Sequence, residues 1–163
     1  MSVHDEQAMN RSAAKVQQTL REHGLSTTVR AMPATTRTAK EAARSIGCSV
    51  AEIAKSLVFR GVTSGRPLLV IVSGVNRVHE AMLASVIGEP IERATPDFVR
   101  DKTGYAIGGV PPVGHDEPMP IWIDKDLFLY EQIWAAAGTP FAVFEITPGE
   151  LQRVTGAAVV DVK

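Results

Sequence analysis

Between Thr103 and His115 the chain runs Thr103-Gly104-Tyr105-Ala106-Ile107-Gly108-Gly109-Val110-Pro111-Pro112-Val113-Gly114-His115, with four glycines and two prolines around a short apolar core. Glycine permits positive φ and close approach of main chain to a ligand, while proline fixes φ and removes a donor. A segment built from both is a stiff loop whose remaining N–H groups can converge on one spot. Two readings follow: a loop that binds a carbonyl oxygen or a phosphate, or a tight connection between two strands.

The spacing Gly-Tyr-x-x-Gly-Gly-x-x-Pro-x-Gly resembles the loop of the YbaK/ProX family, also called the YbaK and aminoacyl-tRNA synthetase-associated domain. The likeness continues upstream through Thr38-Ala39-Lys40-Glu41-Ala42-Ala43 and Glu52-Ile53-Ala54-Lys55-Ser56-Leu57-Val58-Phe59. Downstream it takes in Ile121-Trp122-Ile123-Asp124 and Ala136-Ala137-Gly138, in the family's order and over roughly residues 20 to 160. That is nearly a whole domain. Members of the family hydrolyse wrongly charged aminoacyl-tRNA, and the prolyl-tRNA synthetase editing insertion domain is similar.

With 163 residues, 45% of them hydrophobic and 21% charged, the chain suits one globular domain over residues 1–163 with a proper core. Seventeen basic and 18 acidic residues leave a net charge of −1, which argues against tight, sequence-independent binding along a nucleic-acid backbone. Contact with the end of an RNA stays open; DNA is not an expected partner. The single cysteine, Cys48, excludes an intramolecular disulfide, and no apolar run is long enough to span a bilayer. A cytoplasmic setting and no membrane partner are expected.

The first ten residues are polar and read as a loose tail, followed by an amphipathic helix over residues 11–23 that stops at Gly24. Thr27 to Met32 reads as a strand, and Thr38 and Ser49 each head a capping-box pattern that starts a helix. Ile53 to Phe59 and Leu68 to Val72 are strands joined by a glycine- and proline-bearing turn. Helices are expected over residues 78–87 and from Thr95-Pro96-Asp97, and a last one from Thr147-Pro148-Gly149-Glu150. Ile121 to Ile123, Phe128 to Tyr130, Gln132 to Ala136, Phe141 to Ile146 and Val159 to Val162 are strand candidates. Helices and strands interleave without regular alternation, so the fold class is α+β around a strongly curved mixed sheet, and the resemblance implies that the sheet closes toward a barrel with helices around it.

Lys55 stands inside an apolar strand, on the face of Leu57 and Phe59, and there it either snorkels to the sheet edge or uses its charge in a pocket. The resemblance implies the pocket, since the family uses a lysine at this place near the aminoacyl ester and terminal ribose. Asp124 ends an apolar run as a turn or cap residue; the family match makes it a pocket candidate that orients Lys55 or binds the substrate amine. Ser73 ends a strand and either adds a hydroxyl to a pocket or belongs to a turn. The four histidines are scattered, with no pair at ligand spacing, so neither a metal nor a cofactor is expected. His115 borders the loop and is the histidine to watch. Cys48 reads as a small buried thiol.

An aminoacyl ester is already activated, so hydrolysis needs orientation, an oxyanion site and a positioned water more than a strong nucleophile. Amides around Gly108 and Gly109 fit that demand, each donor being worth about 3 to 4 kcal/mol. Pro111 stiffens this loop, and Gly138, Phe141 and either Met32 or Met119 are placed at the substrate side chain; Phe141 also reads as ordinary strand core. Relatives that remove alanine carry a histidine shortly after the Ala-Gly motif, whereas Gly138-Thr139-Pro140-Phe141-Ala142 has none. The resemblance therefore implies a free-standing trans-editing deacylase for a small misacylated amino acid, with tRNA for proline among the candidates. Its partners would be the aminoacyl-tRNA acceptor end and, for tRNA selection, an aminoacyl-tRNA synthetase. A noncatalytic module that holds an aminoacyl or nucleotide end, or associates with a synthetase, is a second reading, and a small-molecule esterase is a third.

Overall fold

The longest element is also the one the sequence pattern half conceals. In the computed structural model, which describes residues 2–163, helix α1 spans Val3–Glu22 and buries only Val16 and Leu20. The described part of the first ten residues is thus helical rather than a loose tail. Ser2 caps it by accepting from the Asp5 amide, and Asp5 and Glu6 favour the N-terminal end of the helix dipole. The apolar stripe that betrays a helix is missing there because that half touches no core.

Strand β1 is only Arg30–Ala31, shorter than the expected Thr27–Met32. Helix α2, Ala39–Ile46, starts on Thr38, whose hydroxyl accepts from the Glu41 amide. Ser49 does form its capping box with Glu52, but only one 3-10 turn follows, because Ile53 opens strand β2, Ile53–Gly61. β2 pairs antiparallel with β3, Pro67–Ser73, along its whole length. After helix α3, Glu80–Ile87, comes the three-residue strand β4, Ile91–Arg93, too short to leave a pattern. Helix α4, Pro96–Thr103, leads into the glycine-proline loop, which runs without regular structure to β5, Ile121–Asp124.

Phe128 to Tyr130 is no strand: Lys125–Leu129 is a 3-10 turn capped by Asp124, with Leu127 buried. Strands β6, Ile133–Ala136, and β7, Ala142–Ile146, form a hairpin; helix α5, Pro148–Thr155, and strand β8, Ala158–Val160, complete the chain.

Among the described residues the sheet has eight strands in the order β1-β7-β6-β2-β3-β5-β8, with β4 on β2. β2–β6, β3–β5 and β5–β8 are parallel and the other pairs antiparallel, so the sheet is mixed. Its ends are β1 and β8, and no hydrogen bonds join them, so it stops short of a closed barrel. Both faces are covered. Leu69 and Ile71 pack with Val16 and Leu20 of α1 and Leu151 of α5, whereas Leu68, Val70 and Val72 pack with Leu83 of α3 and Val162. That explains the unbroken apolar run of β3, since a strand buried on both sides loses its alternation.

Candidate active site

One side of β2 is paired with β3 throughout, but the other is paired only at its two ends. Ile53 and Ala54 meet β6, and Phe59 to Gly61 meet β4. Between these ladders the strand has an open edge. A cavity of about 600 Å³ lies there, lined by Ala54 to Val58 of β2, by Arg37 and α2, by Arg93 and Ala94, and by Ile107 and Gly108 of the glycine-proline loop. The volume is that of an ordinary small-molecule site. Its wall combines apolar side chains with four cations, Arg37, Lys40, Lys55 and Arg93, and among the described residues no carboxylate lines it.

Lys55 is half-buried, and its ammonium donates to the Asn76 carbonyl at 3.2 Å. Burial pushes its pKa below the usual lysine range; Arg93 and Arg77 add to this and Asp124 opposes it. Asp124 is itself buried, with Oδ2 accepting from the Ser73 amide at 3.0 Å and from Asn76 Nδ2 at 2.8 Å, and Oδ1 accepting from the Asp126 amide at 2.9 Å. It therefore reaches Lys55 through Asn76, by fixing the turn whose carbonyl holds the ammonium. The Ser73 hydroxyl donates to the Ala51 carbonyl at 2.8 Å, which ties the same turn to the chain before β2. Neither Asp124 nor Ser73 lines the cavity.

Gly108 lines it at φ +94°, in the left-handed region, where a β-carbon would stand 2.6 Å from Cγ of Arg37. The arginine stem thus lies over the glycine. Gly109 turns the other way: its amide donates to the Ala106 carbonyl at 3.1 Å, and a β-carbon would stand 2.7 Å from Thr139 main-chain atoms. Behind it the loop is braced by a Tyr105 hydroxyl donating to the Gly114 carbonyl at 2.8 Å, by His115 Nε2 at 2.6 Å from the Pro111 carbonyl, and by a Lys15–Asp116 ion pair at 2.7 Å. Pro111 is buried in this brace.

Gly138, Phe141 and Met32 also stand outside the lining. Gly138 turns the β6–β7 hairpin at φ +92°, where a β-carbon would come within 3.0 Å of the Ser12 carbonyl of α1. The Phe141 carbonyl accepts from the Met32 amide at 2.7 Å. The neighbouring Pro140 carbonyl accepts from both the amide and the hydroxyl of Thr36, which does line the cavity. Cys48 packs near Ile46 and Val50, its thiol pKa raised by burial and then by Glu52.

Of the residues singled out in the sequence, the cavity therefore gathers Lys55 and Gly108. It adds Arg37, Arg93 and Ser56, which sequence reasoning passed over. A polar Ser56 beside Lys55 in an otherwise apolar strand was a readable signal. The arginines had none, because their place depends on which elements border the open edge.

An Aminoacyl-tRNA editing domain model matches residues 33–154, three-quarters of the chain, and the chain belongs to that family. It is 31% identical over 116 residues to the uncharacterized protein YwhH of Bacillus subtilis (strain 168), covering 71% of this chain and 73% of that one. It is 26% identical over 126 residues to a protein of Enterococcus faecalis (strain ATCC 700802 / V583) provisionally named Cys-tRNA(Pro)/Cys-tRNA(Cys) deacylase EbsC, covering 72% and 76% of the two chains. A crystal structure provisionally assigned as a trans-editing enzyme for prolyl-tRNA synthetase superposes with a TM-score of 0.87 at 49% identity, over 93% of this chain and 96% of that one.

Proposed function

We propose that the protein is a trans-editing aminoacyl-tRNA deacylase that hydrolyses the ester of a small, uncharged amino acid misattached to tRNA, tRNA for proline being the first to test. The observation that carries this reading is the cavity on the open edge of β2, where Lys55 and Gly108 face one space of about 600 Å³ among apolar side chains. Two relatives named for editing on prolyl systems support the choice of tRNA.

In this reading the terminal adenosine enters past Arg37 and Arg93, whose guanidiniums suit a phosphate, and Lys55 holds the terminal ribose or its phosphate. The ester carbonyl lies against the main chain at Gly108, where an amide donor offsets the charge that develops as water attacks. The acyl C–O bond then breaks, releasing the amino acid and leaving the ribose hydroxyl on the tRNA. Apolar walls give a pocket that admits a small side chain but discriminates by only about 1 to 3 kcal/mol per methylene, so selection of the tRNA falls to its acceptor end or to a synthetase partner. No described helix is long and apolar enough to cross a membrane. A tRNA substrate would place the reaction in the cytoplasm.

The test is a deacylation panel with tRNAs charged with alanine, serine, threonine, cysteine or proline. Release of one or two small amino acids is expected, abolished by Lys55→Ala. Binding of aminoacyl-tRNA without hydrolysis of any would favour a noncatalytic module.

A further inference from the structure

Ser56 pairs with Ile71 of β3, and its hydroxyl oxygen is buried with no hydrogen-bond partner among the described residues. Few buried polar atoms are left unpaired in folded chains, so an orphan that lines a cavity points to a partner that comes from outside. The main chain of the same residue is open too. The Val58 carbonyl faces the gap, since it accepts from the Ala94 amide at 3.3 Å. Residues two apart on a strand direct their peptide groups to the same side, so the Ser56 N–H and C=O face the gap as well. The β6 ladder ends at Ala54 and the β4 ladder at Phe59, so neither reaches them.

What the cavity can offer an amino group is restricted. Four cations line it and, among the described residues, no carboxylate does. Of its other hydroxyls, that of Thr36 donates to the Pro140 carbonyl and that of Thr38 caps α2. Neighbouring positive charge favours the neutral amine over the ammonium, and a neutral amine both donates and accepts. A serine hydroxyl beside a free carbonyl is its complement, because the hydroxyl does both and the carbonyl accepts.

We propose that Ser56, through its hydroxyl and main-chain carbonyl, binds the α-amino group of the aminoacyl ester and so makes the site specific for aminoacyl over other acyl groups. This rests on the deacylase reading. Lys55 and Gly108 then serve the ribose end and the carbonyl, and Ser56 reads what makes the acyl group an amino acid.

The experiment compares alanyl-tRNA with propionyl-tRNA, which lacks the amino group, in single-turnover hydrolysis by the wild type, Ser56→Ala and Ser56→Thr. The ratio of the two rates cancels effects that a merely structural change would impose on both. Ser56→Ala should lower the alanyl-to-propionyl ratio about tenfold, the scale of one lost buried hydrogen bond, and Ser56→Thr should restore it. An unchanged ratio in Ser56→Ala overturns the proposal. Should Ser56→Ala fail to fold, a wild type and a Ser56→Thr protein that bind amide-linked alanyl-adenosine no better than propionyl-adenosine overturn it equally. The same binding comparison, measured by calorimetry on wild type and Ser56→Ala, separates the two readings. A wild type that hydrolyses nothing sinks the deacylase, while an alanyl preference lost in Ser56→Ala still upholds the amino-group site.

Discussion

Gly108 and Gly109 are neighbours in one loop, and the fold gives them opposite surroundings. Gly108 lines the cavity, with the flexible stem of Arg37 across it. Gly109 is wedged on the main chain of Thr139, and its amide already serves the Ala106 carbonyl. The first exposes main chain to the cavity at a positive φ, and the second lets one loop lie flat on another. A motif that reads as a single binding loop is thus half cavity wall and half foundation, the foundation extending through Tyr105, His115 and the Lys15–Asp116 pair.

The largest effect should come from the cavity side. Lys55→Ala is expected to cut single-turnover deacylation by about 100- to 1,000-fold, the scale of losing one preorganised electrostatic group. The melting temperature should hold or rise, because the folded state disfavours the ammonium: burial lowers its pKa. A fall in melting with the rate per folded molecule unchanged would assign Lys55 to the foundation instead. The wild-type catalysed rate should also decline at alkaline pH, with a midpoint below the ordinary lysine value of 10.5, once the uncatalysed hydrolysis is subtracted.

The two glycines sharpen the comparison directly. At Gly109 a methyl meets main-chain atoms that cannot swing away, so Gly109→Ala should cost about 1 to 3 kcal/mol of stability while each folded molecule keeps most of its rate. Gly108→Ala should lose rate per folded molecule as well, because the methyl displaces Arg37 and strains a residue at φ +94°. Thermal melting and single-turnover rates on the same preparations decide. Equal loss of rate in both would mean that the whole loop faces the substrate.

Much of this division was unreadable in advance. Thr38, Thr95 and Thr147 do cap helices where their patterns say so, and the β2–β3 pair follows from its apolar runs. Such signals are local. The cavity exists because β6 and β4 each pair with one end of β2 and leave its middle open, a matter of long-range register that no window of sequence contains. For that reason Lys55 was half legible, since a charge in an apolar strand either snorkels or lines a pocket and only the resemblance chose the pocket, while Arg37 and Arg93 were not legible at all. Asp124 was legible as a turn or cap residue, which it is, and only the resemblance tied it to the pocket; its path to Lys55 through Asn76 depends on how the turn after β3 folds.

A smaller effect belongs to Arg37, whose stem covers Gly108. Arg37→Ala should weaken binding of the acceptor end about tenfold, the loss of one charge-assisted hydrogen bond, with less effect on the rate at saturation. A fall in the saturated rate alone, with KM unchanged, would move Arg37 from holding the substrate to stabilising the transition state.

The smallest expected effect tests the foundation by pH. His115 is held neutral by burial, which lowers its pKa below the ordinary 6.5, with Lys15 acting in the same direction; its contact to the Pro111 carbonyl and the Asp116 carboxylate oppose this. Nε2 at 2.6 Å from a carbonyl must carry the proton of the neutral ring and donate it. Below pH 6.5 the unfolded chain takes up a proton that the folded chain resists. Stability is therefore complete above 6.5 and falls as the pH drops below it, until the lowered folded value is passed. His115→Gln keeps a donor to Pro111 and cannot titrate, so its melting temperature should be flatter than the wild type's between about pH 6.5 and 5. Activity per folded molecule should not follow this difference, because His115 stands behind the loop and outside the cavity lining. If activity does track it, the back of the loop transmits its state to Gly108, and the two halves of the motif are one device.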